Sequence, residues 1–258
     1  MNKKKILQAI PHFARYLYFA SKAYLVKNYL LFNNHGKGAY CVICNNESSK
    51  FLSHRDRTNV VCVNCGSFDR DRLIYAFLKS ETNILDSSIR LLHFAPEECL
   101  YRIFKKYDNI TYHPADISPE LYNYSLTKIE RIDITKIPYP DNFFDMVLCN
   151  HVLEHVKNDI RAIKELRRVL KPSGWGILQV PIDLNRVETY EDSSIKKPHE
   201  RKIHFGQEDH LRVYGRDYVN ILEDNGFKVE VNSYVKKTKK DLQILYGFPP
   251  KENIYIVR

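Results

Sequence analysis

The chain contains no run of 18 uncharged apolar residues, so a membrane-spanning helix is excluded on length. Its basic start is followed by no uninterrupted apolar stretch and no small-residue cleavage pattern, which argues against a secretory signal. There is no internal repeat and no low-complexity tract. Residues 1–46 contain no aspartate or glutamate, against Lys3, Lys4, Lys5, Arg15, Lys22, Lys27 and Lys37. These seven leave only +2 of the net charge of +9 to the remainder, so the basic excess belongs to an N-terminal arm. The six cysteines do not form a secreted disulfide framework. Four fall into two Cys-x-x-Cys pairs, while Cys99 and Cys149 stand alone in core-like segments. That usage points to a reducing compartment, and the expected location is cytoplasmic.

What is present suffices for one sizeable core and an accessory module: 258 residues, 44% hydrophobic and 28% charged. Lys3 to Phe32 reads as mostly helical, with a break near Pro11 and a series of aromatics, Phe13, Tyr16, Tyr18, Phe19, Tyr24, Tyr29 and Phe32. The first reading is a helix packed on the protein body with its Lys and Arg solvated. The second is peripheral contact of residues 1–32 with an anionic inner membrane face, or with a polyanion. Asn33 to Gly38 is a linker by its turn residues.

Cys41-x2-Cys44, seventeen residues, then Cys62-x2-Cys65 matches a four-thiolate zinc site. Four thiolates leave no open position, so the expected zinc is structural. Such ribbons bind nucleic acid or clip segments together. Arg55, Arg57, Arg70 and Arg72 favour nucleic acid as partner, and the interleaved Asp56, Asp69 and Asp71 weaken that reading. Ser67 is the candidate cap of a helix through about Lys79.

Arg90 to Ala95 reads as a first core strand, and Pro96-Glu97-Glu98 opens a helix. Ile110 to Asp116 is a second strand ending in an acid. Phe144 to Cys149 is a strand, and Asn158 caps a helix with Ile160, Ile163, Leu166, Val169 and Leu170 at helical spacing. Lys171-Pro172-Ser173-Gly174 stops that helix, and Gly176 to Val180 is a strand. A helix from Gly215 to Asn225 ends at Gly226, followed by strands at Lys228 to Val235 and Asn253 to Val257. Lys236 to Lys251 reads as a solvated loop.

Four segments carry a resemblance: Asp133-Ile134; Asp141-Asn142-Phe143-Phe144-Asp145; Cys149-Asn150-His151-Val152-Leu153-Glu154-His155-Val156; and Leu166-Arg167-Arg168-Val169-Leu170-Lys171-Pro172-Ser173-Gly174. Together they resemble the second half of the nucleotide-binding core of class I S-adenosylmethionine (SAM) dependent methyltransferases, of the type 11 kind. With the four cysteines and His93-Phe94-Ala95-Pro96-Glu97, the wording resembles a zinc-ribbon-bearing branch of these proteins. The resemblance implies an α/β fold, a Rossmann-like seven-stranded sheet preceded by the ribbon and the basic helical arm. The implied division is 1–35 arm, 36–66 ribbon and 67–258 methyltransferase domain.

The first loop departs from the family pattern. Glycines there normally let backbone approach the methionine part of SAM, and His93 to Glu97 contains none. Glu97 is the candidate partner of the SAM amino group, with His93, Phe94 and Ala95 beside it. Asp116, 23 residues after His93, has the spacing of a ribose-binding carboxylate; the plainer reading is a turn-forming Asp. By resemblance Asp133 sits beside adenine with Ile134 against the ring, and Asn150 and His151 line the pocket. His151 and His155, four apart around Glu154, lack the metalloprotease order and read as pocket and core residues.

Leu184 to about Gly215 is long and polar, and reads as a substrate-recognition lid. It supplies His210 and His204 as candidate general bases, and Tyr190, Glu208, Asp209 and Arg212 as candidate substrate-binding residues. The expected activity is SAM-dependent methyl transfer, by preference O-methylation of a small or glycan-type hydroxyl acceptor. RNA methylation with the ribbon as reader is the second reading. A non-catalytic zinc-clipped scaffold is the third.

Overall fold

The computed structural model describes residues 25–122 and 128–258. Most of the basic arm therefore lies outside the described residues. Residues 25–33 are helical, with Leu25, Tyr29 and Phe32 exposed. Among the described residues no helix is long and apolar enough to cross a membrane. The chain forms two compact units, Met1–Leu73 with Lys239–Pro249, and Ile74–Thr238 with Pro250–Arg258.

The first unit holds two short antiparallel pairs. β1 (Ala39–Tyr40) pairs with β2 (Glu47–Ser48), and β3 (Leu52–His54) with β4 (Arg57–Val61). Ala39, Cys41, Phe51 and Cys62 form its small core. Arg72 organises the unit from inside. Its guanidinium lies 3.6 Å over the Phe51 ring and donates to the carbonyls of Val60, Ser67, Tyr246 and Gly247. Gly247 sits at φ +57°, and a Cβ there would stand 2.6 Å from the Phe51 ring. This is why Lys239–Pro249 is no solvated loop. It contains the helix Lys240–Leu245 and gives Arg72 two of its acceptors.

The helix Asp69–Glu81 starts without Ser67 as its cap. The Ser67 hydroxyl lies 3.4 Å from Cys41 Sγ and 3.2 Å from Cys65 Sγ instead. The Phe68 amide donates to Asp71 Oδ2, a carboxylate in the first turn.

The second unit is built on one sheet of seven strands. They are β5 (Ile89–Phe94), β6 (Ile110–Asp116), β7 (Glu130–Arg131), β8 (Phe144–Asn150), β9 (Leu170–Gln179), β12 (Val229–Asn232) and β13 (Ile254–Val257), in the order β12-β13-β9-β8-β5-β6-β7. Strands β5 to β9 run parallel, and β13 is antiparallel to both of its neighbours. The order reverses between β5 and β8, and open parallel sheets bind ligands at the carboxyl ends of strands at such a point.

Local chemistry accounts for the elements around that point. Asn158 Oδ1 accepts from the Arg161 amide and caps Asp159–Val169, whose Ala162, Ile163, Leu166 and Val169 are fully buried. Each large side chain buried this way contributes about 1.5–3 kcal/mol. Gly226, at φ +93°, ends the helix Tyr218–Asp224 in the left-handed region that its position requires. The stretch from Leu184 to Gly215 is more ordered than its composition implies. It contains the antiparallel pair β10 (Tyr190–Glu191) and β11 (Arg212–Val213), and the helix Pro198–Phe205.

Candidate functional site

The thiolate cluster is assembled by two knuckles. The Asn45 amide donates to the Cys41 carbonyl, and the Gly66 amide to the Cys62 carbonyl. Asn45 at φ +56° and Gly66 at φ +74° make these turns tight. Cys41 and Cys65 Sγ lie 3.6 Å apart, and Cys44 and Cys62 Sγ 3.7 Å. A tetrahedron with Zn–S bonds of about 2.3 Å has edges of about 3.8 Å, so the four sulfurs fit zinc and lie far beyond disulfide distance. Hydrogen bonds from Cys44, Cys62 and Cys65 pull the Cys41 thiol down, while the Cys65 thiol is pushed up by the other three. Four crowded thiols cannot all ionise without a cation. Burial lowers the Arg72 pKa, and the neighbouring thiolate and carboxylate charges oppose that shift.

Two of the four ribbon arginines are committed to the fold. Arg72 is buried and spent on carbonyls, and Arg57 pairs with Asp69. Arg72 offers no nucleic-acid contact as placed.

In the second unit, the carboxyl ends of β8, β5, β6 and β7 stand side by side and bring the SAM candidates together. His93 is fully buried. Its Nδ1 lies 2.9 Å from the Tyr112 hydroxyl and its Nε2 3.0 Å from Glu97 Oε2. Asn150 Nδ2 donates to Glu97 Oε1 at 3.2 Å. Burial raises the Glu97 pKa, but the His93 and Asn150 hydrogen bonds outweigh it and hold the carboxyl below its usual range. Glu97 is therefore an ionised carboxylate at neutral pH, suited to an ammonium group.

Ala95 occupies φ +47°, a left-handed conformation unusual for a residue with a Cβ. The tight turn that glycines usually make is thus present without glycine. The Ala95 amide donates to the Ala115 carbonyl, which sets the loop against the end of β6. Asp116 accepts there from the Ser118 amide at 2.7 Å and from the Tyr122 hydroxyl at 2.6 Å. The Ile132 amide donates to the Asp116 carbonyl, which brings Asp133 alongside. Phe94 and Ile134 are members of the hydrophobic core, at 2% and 6% exposure. Phe94 thus has chiefly backbone to offer a ligand. His151, at φ +54°, anchors its amide on the Gln179 carbonyl.

Asn150 is 6% exposed, and its Oδ1 has no hydrogen-bond partner. With the ionised Glu97 and the open turn at Ala95, this orphaned acceptor fits a ligand carrying an amino group and hydroxyls. The residues present fit SAM.

The candidate residues of the 184–215 stretch separate into two sets. Arg212, 1% exposed, donates to the carbonyls of Leu153, Val156 and Lys157 and to Glu191. Its guanidinium is consumed in fastening the 184–215 stretch to the turn after β8, so Arg212 has no donor set aside for a substrate. His210 is 4% exposed, and its ring stacks edge-on at 4.8 Å from His155. Burial lowers its pKa, the Glu154 charge opposing, so the imidazole is neutral at neutral pH. His204 and Glu208 are exposed, and Asp209 reaches His155. Tyr190 packs its ring 5.6 Å from Phe205 and 6.3 Å from His204.

Sequence reasoning noted Glu154 but assigned it no role. It is 1% exposed in the short turn Leu153–His155 after β8, with His151 Nδ1 3.4 Å from its Oε1. An acid between two histidines immediately after a strand end was the available signal. Tyr112 and Tyr122, which hold His93 and Asp116, carried none.

Comparison with known proteins bears on the same region. Residues 99–178 match the family model described as a methyltransferase domain. The uncharacterized protein MJ0638 of Methanocaldococcus jannaschii is 41% identical over 82 residues, 31% of this chain and 35% of that one. The ubiquinone/menaquinone biosynthesis C-methyltransferase UbiE of Coxiella burnetii is 37% identical over 46 residues, 18% of each chain. A SAM dependent methyltransferase from Archaeoglobus fulgidus, 14% identical, covers 72% of this chain and 91% of its own, with a TM-score of 0.46. The chain spans about a third or less of the length of these two curated relatives.

Proposed function

We propose that this chain carries a class I SAM-dependent methyltransferase domain, in keeping with the methyltransferase domain model matched by residues 99–178, and that it transfers the SAM methyl group to a hydroxyl of a small or glycan-type acceptor. The observation that carries the reading is the linked set His93, Glu97 and Asn150 at the switch point, with its ionised carboxylate and orphaned amide oxygen. Glu97 and Asn150 hold the amino-acid end of SAM, and Asp116 the ribose. Asp133 and Ile134 flank the adenine. When bound, SAM supplies an electrophilic methyl group already activated by its sulfonium.

The protein's part is to align the acceptor, exclude water and deal with a proton. The folded lid between Leu184 and Gly215 is the covering element, fastened by Arg212. Tyr190, Glu208 and Asp209 are its candidate acceptor contacts. The cluster of Glu154, His155 and His210 supports an oxygen acceptor, because carboxylate and imidazole are groups that manage the proton of a hydroxyl. His204, exposed on the lid, is the second candidate base.

The test is calorimetry of SAM and S-adenosylhomocysteine binding to zinc-replete protein, with Asp116→Ala as control, followed by an acceptor screen that begins with glycans. Micromolar binding lost in Asp116→Ala supports the reading. No binding to folded protein transfers the assignment to a zinc-clipped scaffold.

A further inference from the structure

Two buried groups in the methyltransferase unit lack the partners that burial demands. Both carboxylate oxygens of Glu154 and Nε2 of His210 have no hydrogen bond. The residues are 1% and 4% exposed. Keeping a carboxylate from water without compensation costs several kcal/mol, roughly. Buried polar atoms in folded proteins are otherwise satisfied, and an orphan marks a water, an ion or a catalytic role.

The orphans occur together. One donor atom from each of Glu154, His155 and His210 lies within 4.8 Å of the other two. Both imidazoles are already oriented. His210 Nδ1 lies 3.1 Å from the Phe205 carbonyl, so the proton belongs on Nδ1 and the lone pair on Nε2. His155 Nδ1 lies 3.3 Å from the carbonyl and from a carboxylate oxygen of Asp209, which leaves its Nε2 as the lone-pair nitrogen. An outer acceptor that fixes the tautomer while the other nitrogen faces a cation is the arrangement around metal-bound histidine. The scaffold is held in place. The Leu211 amide donates to the Glu154 carbonyl, and Arg212 clamps the carbonyls on either side. His151 Nδ1, 3.4 Å from Glu154 Oε1, is the other titratable neighbour of that carboxylate.

We propose that Glu154, His155 and His210 bind a divalent first-row transition-metal ion, distinct from the zinc of the cysteine cluster. Two imidazoles and a carboxylate disfavour calcium and magnesium, which take oxygen ligands, and match the donor set of open zinc sites. Three protein ligands leave a coordination position free. The inference takes from the proposed function only its oxygen acceptor, which that open position would receive. On this assignment His210 gives its lone pair to the ion and is not a free base.

The experiment uses the full chain with zinc in the cysteine cluster and neither SAM nor acceptor present. Cobalt(II) is titrated in, the visible spectrum is followed, and bound metals are counted by elemental analysis after gel filtration. The expected result is a second metal equivalent with ligand-field bands and no thiolate-to-cobalt charge transfer. His155→Ala alters a half-exposed residue and Glu154→Gln keeps the side-chain shape; each should weaken cobalt affinity about 100-fold with an unchanged circular dichroism spectrum. A single metal equivalent in the native chain overturns the proposal. A second equivalent that persists in both variants also overturns it. Because SAM is absent, neither outcome depends on whether the chain binds SAM.

Discussion

His93 Nε2 stands 3.0 Å from Glu97 Oε2, four residues along the chain, with the imidazole fully buried and the carboxylate partly exposed. His93 thus acts through Glu97 and does not itself face a ligand. Replacing it with Ala frees Glu97 to turn away and leaves the Tyr112 hydroxyl without this partner. A hydrogen bond to a charged group contributes about 1.5–3 kcal/mol. His93→Ala and Glu97→Gln should each weaken SAM binding by about 10- to 100-fold, read by calorimetry. Native affinity in both variants would remove Glu97 from the site.

Tyr122 donates to the Asp116 oxygen that a ribose hydroxyl would need. A bound ribose competes with that phenol. Tyr122→Phe should tighten SAM binding by about three- to tenfold, since the displaced hydrogen bond is no longer lost. Asp116→Ala should abolish measurable binding. Weaker binding in Tyr122→Phe would mean that the phenol serves the ligand.

His210→Ala should lower turnover by about 100-fold or more with little change in SAM affinity. A stopped assay at saturating SAM separates the two quantities. Unchanged turnover would take His210 out of the acceptor chemistry.

In the ribbon, Gly247→Ala places a Cβ 2.6 Å from the Phe51 ring and 2.9 Å from Arg72 Nη2. The positive φ adds a further penalty. The expected loss is about 2–4 kcal/mol of stability in this unit, measured by hydrogen exchange at ribbon amides. Cys62→Ser should release the structural zinc, read as one equivalent lost.

Glu165 accepts from the Ile137 amide and from Arg168, which also donates to the carbonyls of Ile137 and Tyr139. Arg168 lowers the Glu165 pKa, against burial. A depressed folded-state value stabilises above the ordinary carboxylate range and is lost as pH falls through the lowered value. Glu165→Gln should therefore cost about 1–2 kcal/mol at neutral pH, and the difference from the native chain should shrink on acidification below the carboxylate range. A pH-independent difference in urea melts would contradict this origin.

What could be read from the sequence was local. Asn158 and Gly226 lie within one turn of the helix ends they terminate, and each cysteine pair makes its knuckle inside five or six residues. The β8–helix–β9 succession was legible for the same reason: each element follows the last with a short connection. What could not be read depended on the chain returning. Nothing near His210 announces Glu154, 56 residues away. The Leu211 amide on the Glu154 carbonyl, β11 pairing with β10, and Arg212 reaching the Leu153 and Val156 carbonyls bring the two together. Arg212 read as a substrate ligand because composition cannot tell a guanidinium spent on carbonyls from one facing a pocket. Ser67 read as a helix cap because its competing thiol partners lie two residues behind it and 26 residues away.

Arg72 waits for acceptors that lie 174 and 175 residues downstream. A chain synthesised from its amino end exposes all four cysteines early, and the knuckles themselves need nothing later than Ser67. Enclosing the guanidinium needs Tyr246 and Gly247. The sheet has the same timetable, because β13 inserts between β9 and β12, both made before it. Both units therefore stay open on the ribosome until Tyr246, Gly247 and β13 emerge. A pause in translation before Lys239 would leave a ribbon with a wet arginine, and a sheet whose β9 edge is bare and prone to pairing with other chains.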